Sequence, residues 1–234
     1  MDDEDPRPAL RGATYRGDGE TVVSVLGRLD PREYLQIGGD GLLLALVQRV
    51  DGAADLAGRW VEMLRERDRD GDAELADQLD ARLGRGPSPM LRPLPIDLEQ
   101  LTDVLEGDPT SPGGRIDLDT GEVWPIFDDF LTDQANDGDE DGEEREWLEV
   151  PCLGSRASYR DMQDFIDTLD DPGRRDRLEI AIEGRGAFRR FKDVLARSEA
   201  DLTRWYGFSD ERQRGRARAW LADAGYAVSP RRGS

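Results

Sequence analysis

Midway along the chain the hydrophobic residues change their period, and this change most constrains the possible fold. In the first part of the chain apolar residues recur at every third or fourth position, which is typical of amphipathic helices. Residues 115–119 instead alternate between apolar and polar, residues 120–121 are turn formers, and residues 122–126 leave the turn as a second extended segment. Alternation returns at residues 146–152, and helical spacing follows it.

These periods predict an α+β fold. The hairpin and the third extended segment form a small three-stranded antiparallel sheet packed with four to five helices, preceded by an all-helical N-terminal unit. A last helix is expected to begin at Ser209. Composition and turn-forming residues give these predicted boundaries: a disordered acidic lead at 1–19, the helical unit at 20–84, a Pro/Gly linker at 85–95, the α+β domain at 96–228 with an acidic insertion at 128–146, and a tail at 229–234.

The amino-acid composition excludes several classes of site. The chain has no histidine and one cysteine, Cys152, so an intrachain disulfide, a Cys/His zinc site and a histidine-based catalytic triad are all impossible. No cofactor is predicted. The longest apolar run, at residues 41–47, is much shorter than the roughly 20 residues that a membrane-spanning helix needs. The N-terminus lacks the basic and apolar regions of a signal peptide, so a cytoplasmic protein without a membrane partner is expected.

The charge distribution limits the possible partners. With 32 basic and 52 acidic residues the chain carries a formal charge of −20, which repels nucleic acid as a whole. Nucleic acid is therefore predicted to bind only through a locally basic helix. Residues 128–149 contain eleven acids and one arginine, a local charge of −10, and this density leaves open an acidic nucleic-acid mimic.

One glycine-rich break followed by a basic helix is the best candidate site. Between Arg174 and Lys192 there are seven basic residues and three acids, a local charge of +4. Glycines at a helix start allow close approach to the backbone amides, and arginines beside them complete a typical anion site. The predicted anion-binding residues are Gly184, Arg185, Gly186, Arg189, Arg190 and Lys192. Alternatively, Phe188 and Phe191 are a core stripe, and the aromatic and basic side chains then occupy different faces.

Two groups of carboxylates are candidate metal sites. One group has the spacing of an EF-hand loop: Asp68, Asp70, Asp72 and Asp77. The loop departs from the EF-hand pattern because it begins with a glutamate, and because Asp77 is one methylene shorter than the glutamate that usually ends the loop. A solvated turn between two helices explains the same residues.

The second group lies on the predicted hairpin. Asp117, Asp119 and Glu122 are close enough along it to bind Mg²⁺ for chemistry on phosphate esters. The alternative is that these acids are the solvated face of an antiparallel pair.

Four ordered blocks of sequence carry a family resemblance. They are residues 116–123, residues 159–165, residues 181–193, and the aromatic pairs at 205–206 and 220–221. Over about residues 95–228 the chain resembles the bacterial family numbered 0158 in the series of uncharacterised protein families. The resemblance implies no activity, and it includes neither the helical N-terminal unit nor the acidic insertion.

The biochemical function is therefore unknown from the sequence. The residues favour a non-enzymatic cytoplasmic interaction or regulatory protein that binds an unknown protein or anionic ligand at Gly184–Lys192. A Mg²⁺-dependent enzyme acting on phosphate esters and an acidic nucleic-acid mimic are the alternatives.

Overall fold

A computed structural model describes residues 5–107, 110, 112–126 and 145–230, which form ten α-helices and five short strands. In chain order they are α1 Arg7–Tyr15, α2 Gly19–Leu26, α3 Leu35–Gln48, α4 Ala53–Arg67, α5 Asp72–Leu83, β1 Arg92–Leu94, α6 Leu98–Leu105, β2 Gly114–Asp117, β3 Val123–Pro125, β4 Trp147–Val150, α7 Arg156–Asp167, α8 Pro172–Ile182, α9 Ala187–Leu195, α10 Glu199–Asp223 and β5 Tyr226–Val228. None of the helices in these residues is both long and apolar enough to span a lipid bilayer.

The three-stranded antiparallel sheet has the strand order β3-β2-β4, which confirms the predicted α+β fold. Ile116 is fully buried and lies opposite Val123 on one side and Leu148 on the other. Gly121 closes the hairpin with φ 74°, and a Cβ there would lie 2.5 Å from the carbonyl oxygen of Pro95. Most of the predicted acidic insertion, residues 128–144, falls outside the described residues.

The N-terminal helices α1 to α5 enclose their own apolar core. Trp60 on α4 is completely buried in it, and two residues of α1, Leu10 and Ala13, also have no exposed surface. Residues 1–19 were predicted to be a disordered lead, but Arg7–Tyr15 forms a packed helix. Only two residues of this helix belong to the apolar core, so its sequence is mostly polar and gives no helical pattern of apolar residues. Packing against the rest of the N-terminal unit stabilises the helix.

A parallel pair of strands joins the two ends of the C-terminal region. β1 lies within the predicted Pro/Gly linker and pairs with β5, with Leu94 opposite Val228. Leu94 is 1% exposed and belongs to the core between the sheet, α6 and α10. The partners are far apart in sequence, so no local pattern indicates this pairing.

Helix α10 is the central element of the structure. It runs without interruption from Glu199 to Asp223, where the sequence predicted a separate helix beginning at Ser209. Its cap is Ser198, whose side chain accepts a hydrogen bond from the amide of Asp201. The helix contacts α3 and α5 of the N-terminal unit as well as α6, α7, α9 and β5. It therefore connects the N-terminal core to the α+β domain.

Candidate anion-binding site at the start of helix α9

A short loop joins α8 to α9 and contains the two glycines selected from the sequence. Gly184 has φ 72° and Gly186 has φ 77°, so both lie in the left-handed region that favours glycine. Gly186 is the N-cap residue of α9, and no side chain caps this helix. Because the first-turn amides of a helix have no acceptor within it, the loop presents N–H donors and the positive end of the helix dipole.

Arg190 folds back onto this loop. Its Nε donates to the carbonyl of Ala181 at 3.0 Å, its Nη2 donates to that of Glu183 at 2.5 Å, and its Nη1 donates to that of Arg185. These bonds satisfy the carbonyls of Ala181 and Glu183 at the end of α8, which have no partner within the helix, and that of Arg185 in the loop. The guanidinium of Arg190, predicted to bind an anion, is therefore occupied in holding the shape of the loop.

The three remaining cations of the predicted site are exposed: Arg185, Arg189 and Lys192. The side chain of Arg189 is 89% exposed, and its ion pair with Asp193 spans 3.9 Å. An exposed pair of this kind contributes at most about 1 kcal/mol, so it competes weakly with another anion. The surface formed by Arg185, Arg189 and Lys192 together with the first-turn amides of α9 is called the α9 surface.

The opposite face of α9 is fixed in an aromatic core. Phe191 is fully buried, and its ring centroid lies 4.8 Å from that of Trp205 and 6.2 Å from that of Phe165, both at edge-to-face angles. Leu195 is also buried, whereas Phe188 is half-buried. The helix therefore has the core stripe and the exposed cations on different faces, and the core anchors the α9 surface rigidly.

The EF-hand-like carboxylates do not converge. Asp72 is 1% exposed, and its oxygens accept hydrogen bonds from Arg67 at 2.6 and 2.8 Å and from the side chain of Gln36 at 2.8 Å. Asp77 is instead 3.6 Å from Arg65 on the outside of α5. Within the described ranges no three or more acidic or cysteine side chains are placed to hold a metal ion. At Asp72 the arginine supplies the positive charge that calcium would bring.

The hairpin acids have separate roles. Asp117 is 2% exposed, and its Oδ1 accepts the amides of Asp119 at 2.8 Å and Thr120 at 3.1 Å. This arrangement is an Asx turn, in which the carboxylate stabilises the backbone that follows it. Asp119 and Glu122 are exposed. The geometry therefore assigns Asp117 to the turn and not to the solvated face expected from the alternation.

Sequence reasoning missed the arginines of α10, which occur at every second position from 212 to 218. Alternate residues of a helix are separated by about 200° around its axis, so these four side chains divide into two pairs on opposite faces. On one face Arg212 and Arg216 both contact the buried carboxylate of Asp161, at 2.6 and 2.7 Å. The repeat of arginine at every second position is the feature of the sequence that corresponds to ion pairs on two faces of α10.

The other pair of α10 arginines faces the N-terminal unit. Arg218 is 1% exposed, donates to the side-chain oxygen of Gln36 at 2.9 Å and pairs with Asp40 of α3. Arg214 is 3.6 Å from the same aspartate. The two faces of α10 thus bind acids from the two halves of the molecule.

Glu211 of α10 caps helix α3. Its carboxylate accepts the amides of Gln36 at 2.8 Å and Ile37 at 3.1 Å, and it also pairs with Arg67 at 3.0 Å. These amides belong to the first turn of α3, whose own N-cap residue, Tyr34, provides no side-chain cap. Burial raises the pKa of Glu211, while the charge of Arg67 and the two amides lower it.

Comparison with known proteins gives two matches and one negative result. A family model described as "Uncharacterised protein family (UPF0158)" matches residues 116–231. A Pseudomonas aeruginosa protein named "UPF0158 protein PA5073" is 30% identical over 135 residues, which is 57% of this chain and 85% of that protein. No solved structure matches the chain.

Proposed function

The chain belongs to the uncharacterised protein family UPF0158, and because that name carries no activity, we propose the function from the geometry of the site. The protein is a non-enzymatic interaction protein that binds a short acidic segment of another protein at the α9 surface. Following the sequence expectation, we place this interaction in the cytoplasm.

One observation carries the proposal: a helix whose position is already fixed has uncapped first-turn amides and three exposed cations, Arg185 in the preceding loop, Arg189 in the first turn and Lys192 in the last. Two of these cations, Arg185 and Arg189, carry planar guanidinium groups, which can donate two parallel hydrogen bonds to the two oxygens of a carboxylate. The bonds from Arg190 hold the loop carbonyls in place, so little conformational entropy is lost when an anion binds. A guanidinium group offers N–H donors and no acceptor, which supports binding of an anion.

The size of the positive surface favours an acidic peptide segment over nucleic acid. Double-stranded DNA carries a negative charge for each ~1.7 Å of its length. An extended duplex would therefore also approach the acidic parts of this chain, which has a net charge of −20, and would be repelled by them. A segment with two or three carboxylates needs only the α9 surface. Electrostatic complementarity of this local kind gives specificity and speeds association.

Reversing the charge of Arg189 is expected to weaken binding of a labelled oligoglutamate peptide by tenfold or more, as measured by fluorescence anisotropy at low ionic strength. The expected loss follows from replacing an attraction worth up to about 1 kcal/mol at an exposed charge by a repulsion of similar size. Arg189 is 89% exposed, so Arg189→Glu should leave the thermal unfolding midpoint nearly unchanged.

Arg197→Glu is the matched control, because this exposed arginine beyond the end of α9 undergoes the same change of charge. It should bind the peptide nearly as the native protein does. Equal binding by the native chain and Arg189→Glu, or equal losses in the two variants, would show that the α9 surface is not the binding site.

A further inference from the structure

A cleft of about 230 Å³ lies between the loop joining α4 to α5 and the middle of α10. Four arginines line it: Arg67, Arg69, Arg212 and Arg216. This cleft is formed by different residues from the α9 surface and is independent of the proposed function.

Three of the four arginines are paired with acids. Arg67 binds Asp72 and Glu211, at 2.6 and 3.0 Å. Arg216 binds Glu106 at 2.6 Å and shares Asp161 with Arg212.

Arg69 differs from the other three arginines. Its guanidinium forms no ion pair with any residue in the described parts of the chain, although its backbone N–H donates to Asp72 at 3.0 Å. Asp68 and Asp70 also line the cleft, and neither carboxylate lies within ion-pair distance of the Arg69 guanidinium. The cleft therefore contains one cation whose charge is not balanced by a direct partner.

Charges of both signs act on the exposed guanidinium of Arg69. Partial burial and the positive charges of Arg212 and Arg67 lower the pKa of Arg69, whereas the negative charges of Asp72 and Asp164 raise it. An anion placed among these guanidinium groups would offset their mutual repulsion through charge-assisted hydrogen bonds.

The guanidinium groups of Arg69 and Arg212 are held over a common aromatic ring. Their Cζ atoms lie 5.9 and 5.0 Å from the ring centroid of Phe208. A guanidinium group within about 6 Å of a ring centroid is attracted to the aromatic face, which favours this position of the side chain. Both donors are therefore positioned before any ligand arrives.

The loop that forms one wall of the cleft is fixed against α10. A Cβ on Gly215 would lie 2.1 Å from the carbonyl oxygen of Asp70, and a Cβ on Gly71 would lie 2.2 Å from that of Gly215. The two backbones can approach this closely because both positions are glycine and carry no Cβ. The cleft consequently has a defined width.

We propose that this cleft binds a small tetrahedral oxyanion, namely phosphate or the phosphate group of a small monoester, with Arg69 and Arg212 as its ligands. Guanidinium groups bind phosphate oxygens through paired N–H donors, and a tetrahedral anion offers oxygens to donors from several directions. The volume accommodates a phosphate group with a small organic remainder.

The test is calorimetric titration of the full chain with inorganic phosphate, with acetate as the planar comparison. The native protein should give a saturable heat with phosphate and a much weaker one with acetate. Arg69→Gln should weaken phosphate binding at least about tenfold. Because Arg69 is exposed and its guanidinium forms no direct ion pair within the described residues, this variant should remain folded, with an unchanged circular dichroism spectrum and an unfolding midpoint that no longer rises when phosphate is added.

Two further variants make the result specific. Arg82→Gln removes an exposed arginine of α5 outside the cleft and should bind phosphate as the native chain does. Arg189→Glu should also bind phosphate normally, since it alters only the α9 surface. The proposal is overturned if native protein gives no phosphate heat, if Arg69→Gln binds as well as native protein, or if Arg189→Glu removes the heat.

Discussion

Replacing Glu211 by alanine is expected to lower the free energy of unfolding by about 3–5 kcal/mol. The change leaves the first-turn amides of Gln36 and Ile37 without their acceptor, and it removes one of the two acids that pair with Arg67. The site is enclosed between α3, α4 and α10, so solvent replaces these bonds poorly. Urea unfolding followed by far-ultraviolet circular dichroism measures the loss.

Glu66→Ala is the control for this variant, because Glu66 is an exposed glutamate on α4. It should change stability by less than about 0.5 kcal/mol. A loss below about 1 kcal/mol in Glu211→Ala would contradict the conclusion that α10 caps α3, since capping alone is worth about that much.

Replacing Gly71 by alanine is expected to cost about 2–5 kcal/mol, the sum of a left-handed conformation and a backbone clash. Gly71 has φ 78°, and its added Cβ would lie 2.2 Å from the carbonyl oxygen of Gly215 on α10. The rigid backbone on both sides cannot move away without separating the α4–α5 loop from α10. Thermal and urea unfolding both report the change.

Gly84→Ala separates the two contributions. Gly84 has a similar φ of 71°, but a Cβ there meets nothing within 4 Å. This variant should lose only the conformational part, about 1–2 kcal/mol. Equal losses at the two glycines would show that the close contact between the loop and α10 does not contribute to stability.

The parts of the fold that depend on neighbouring residues were predictable. Asp117, Thr120 and Gly121 lie within a few positions of one another, and turn chemistry determines their conformation. The change of hydrophobic period then gave the three strands and their antiparallel arrangement. These elements required no knowledge of distant contacts.

Elements stabilised by distant contacts were missed. Helix α1 is polar apart from residues such as Leu10 and Ala13, and the pairing of β1 with β5 joins residues at opposite ends of the C-terminal region. Ser209 resembles a helix cap, but packing against several other elements keeps α10 continuous through it. Tertiary packing overrides local preference in each case.

The candidate site was predictable only in part. The glycine conformations and the exposure of Arg189 follow from the local pattern, and both are found in the structure. The inward direction of Arg190 depends on carbonyls of the preceding helix, which the sequence does not position. The cleft at Arg69 joins two segments far apart in sequence, so its unpaired charge is visible only after folding.

Amide chemical shifts test the central claim, binding of an acidic segment at the α9 surface, most directly. Proton–nitrogen correlation spectra of the labelled full chain would be recorded during titration with the oligoglutamate peptide. We predict progressive, saturable shifts for the amides of Ala187, Phe188 and Arg189, with those around Arg69 unchanged. Shifts centred elsewhere in the chain, or no shifts at concentrations where anisotropy reports binding, would contradict the assignment of the α9 surface as the binding site.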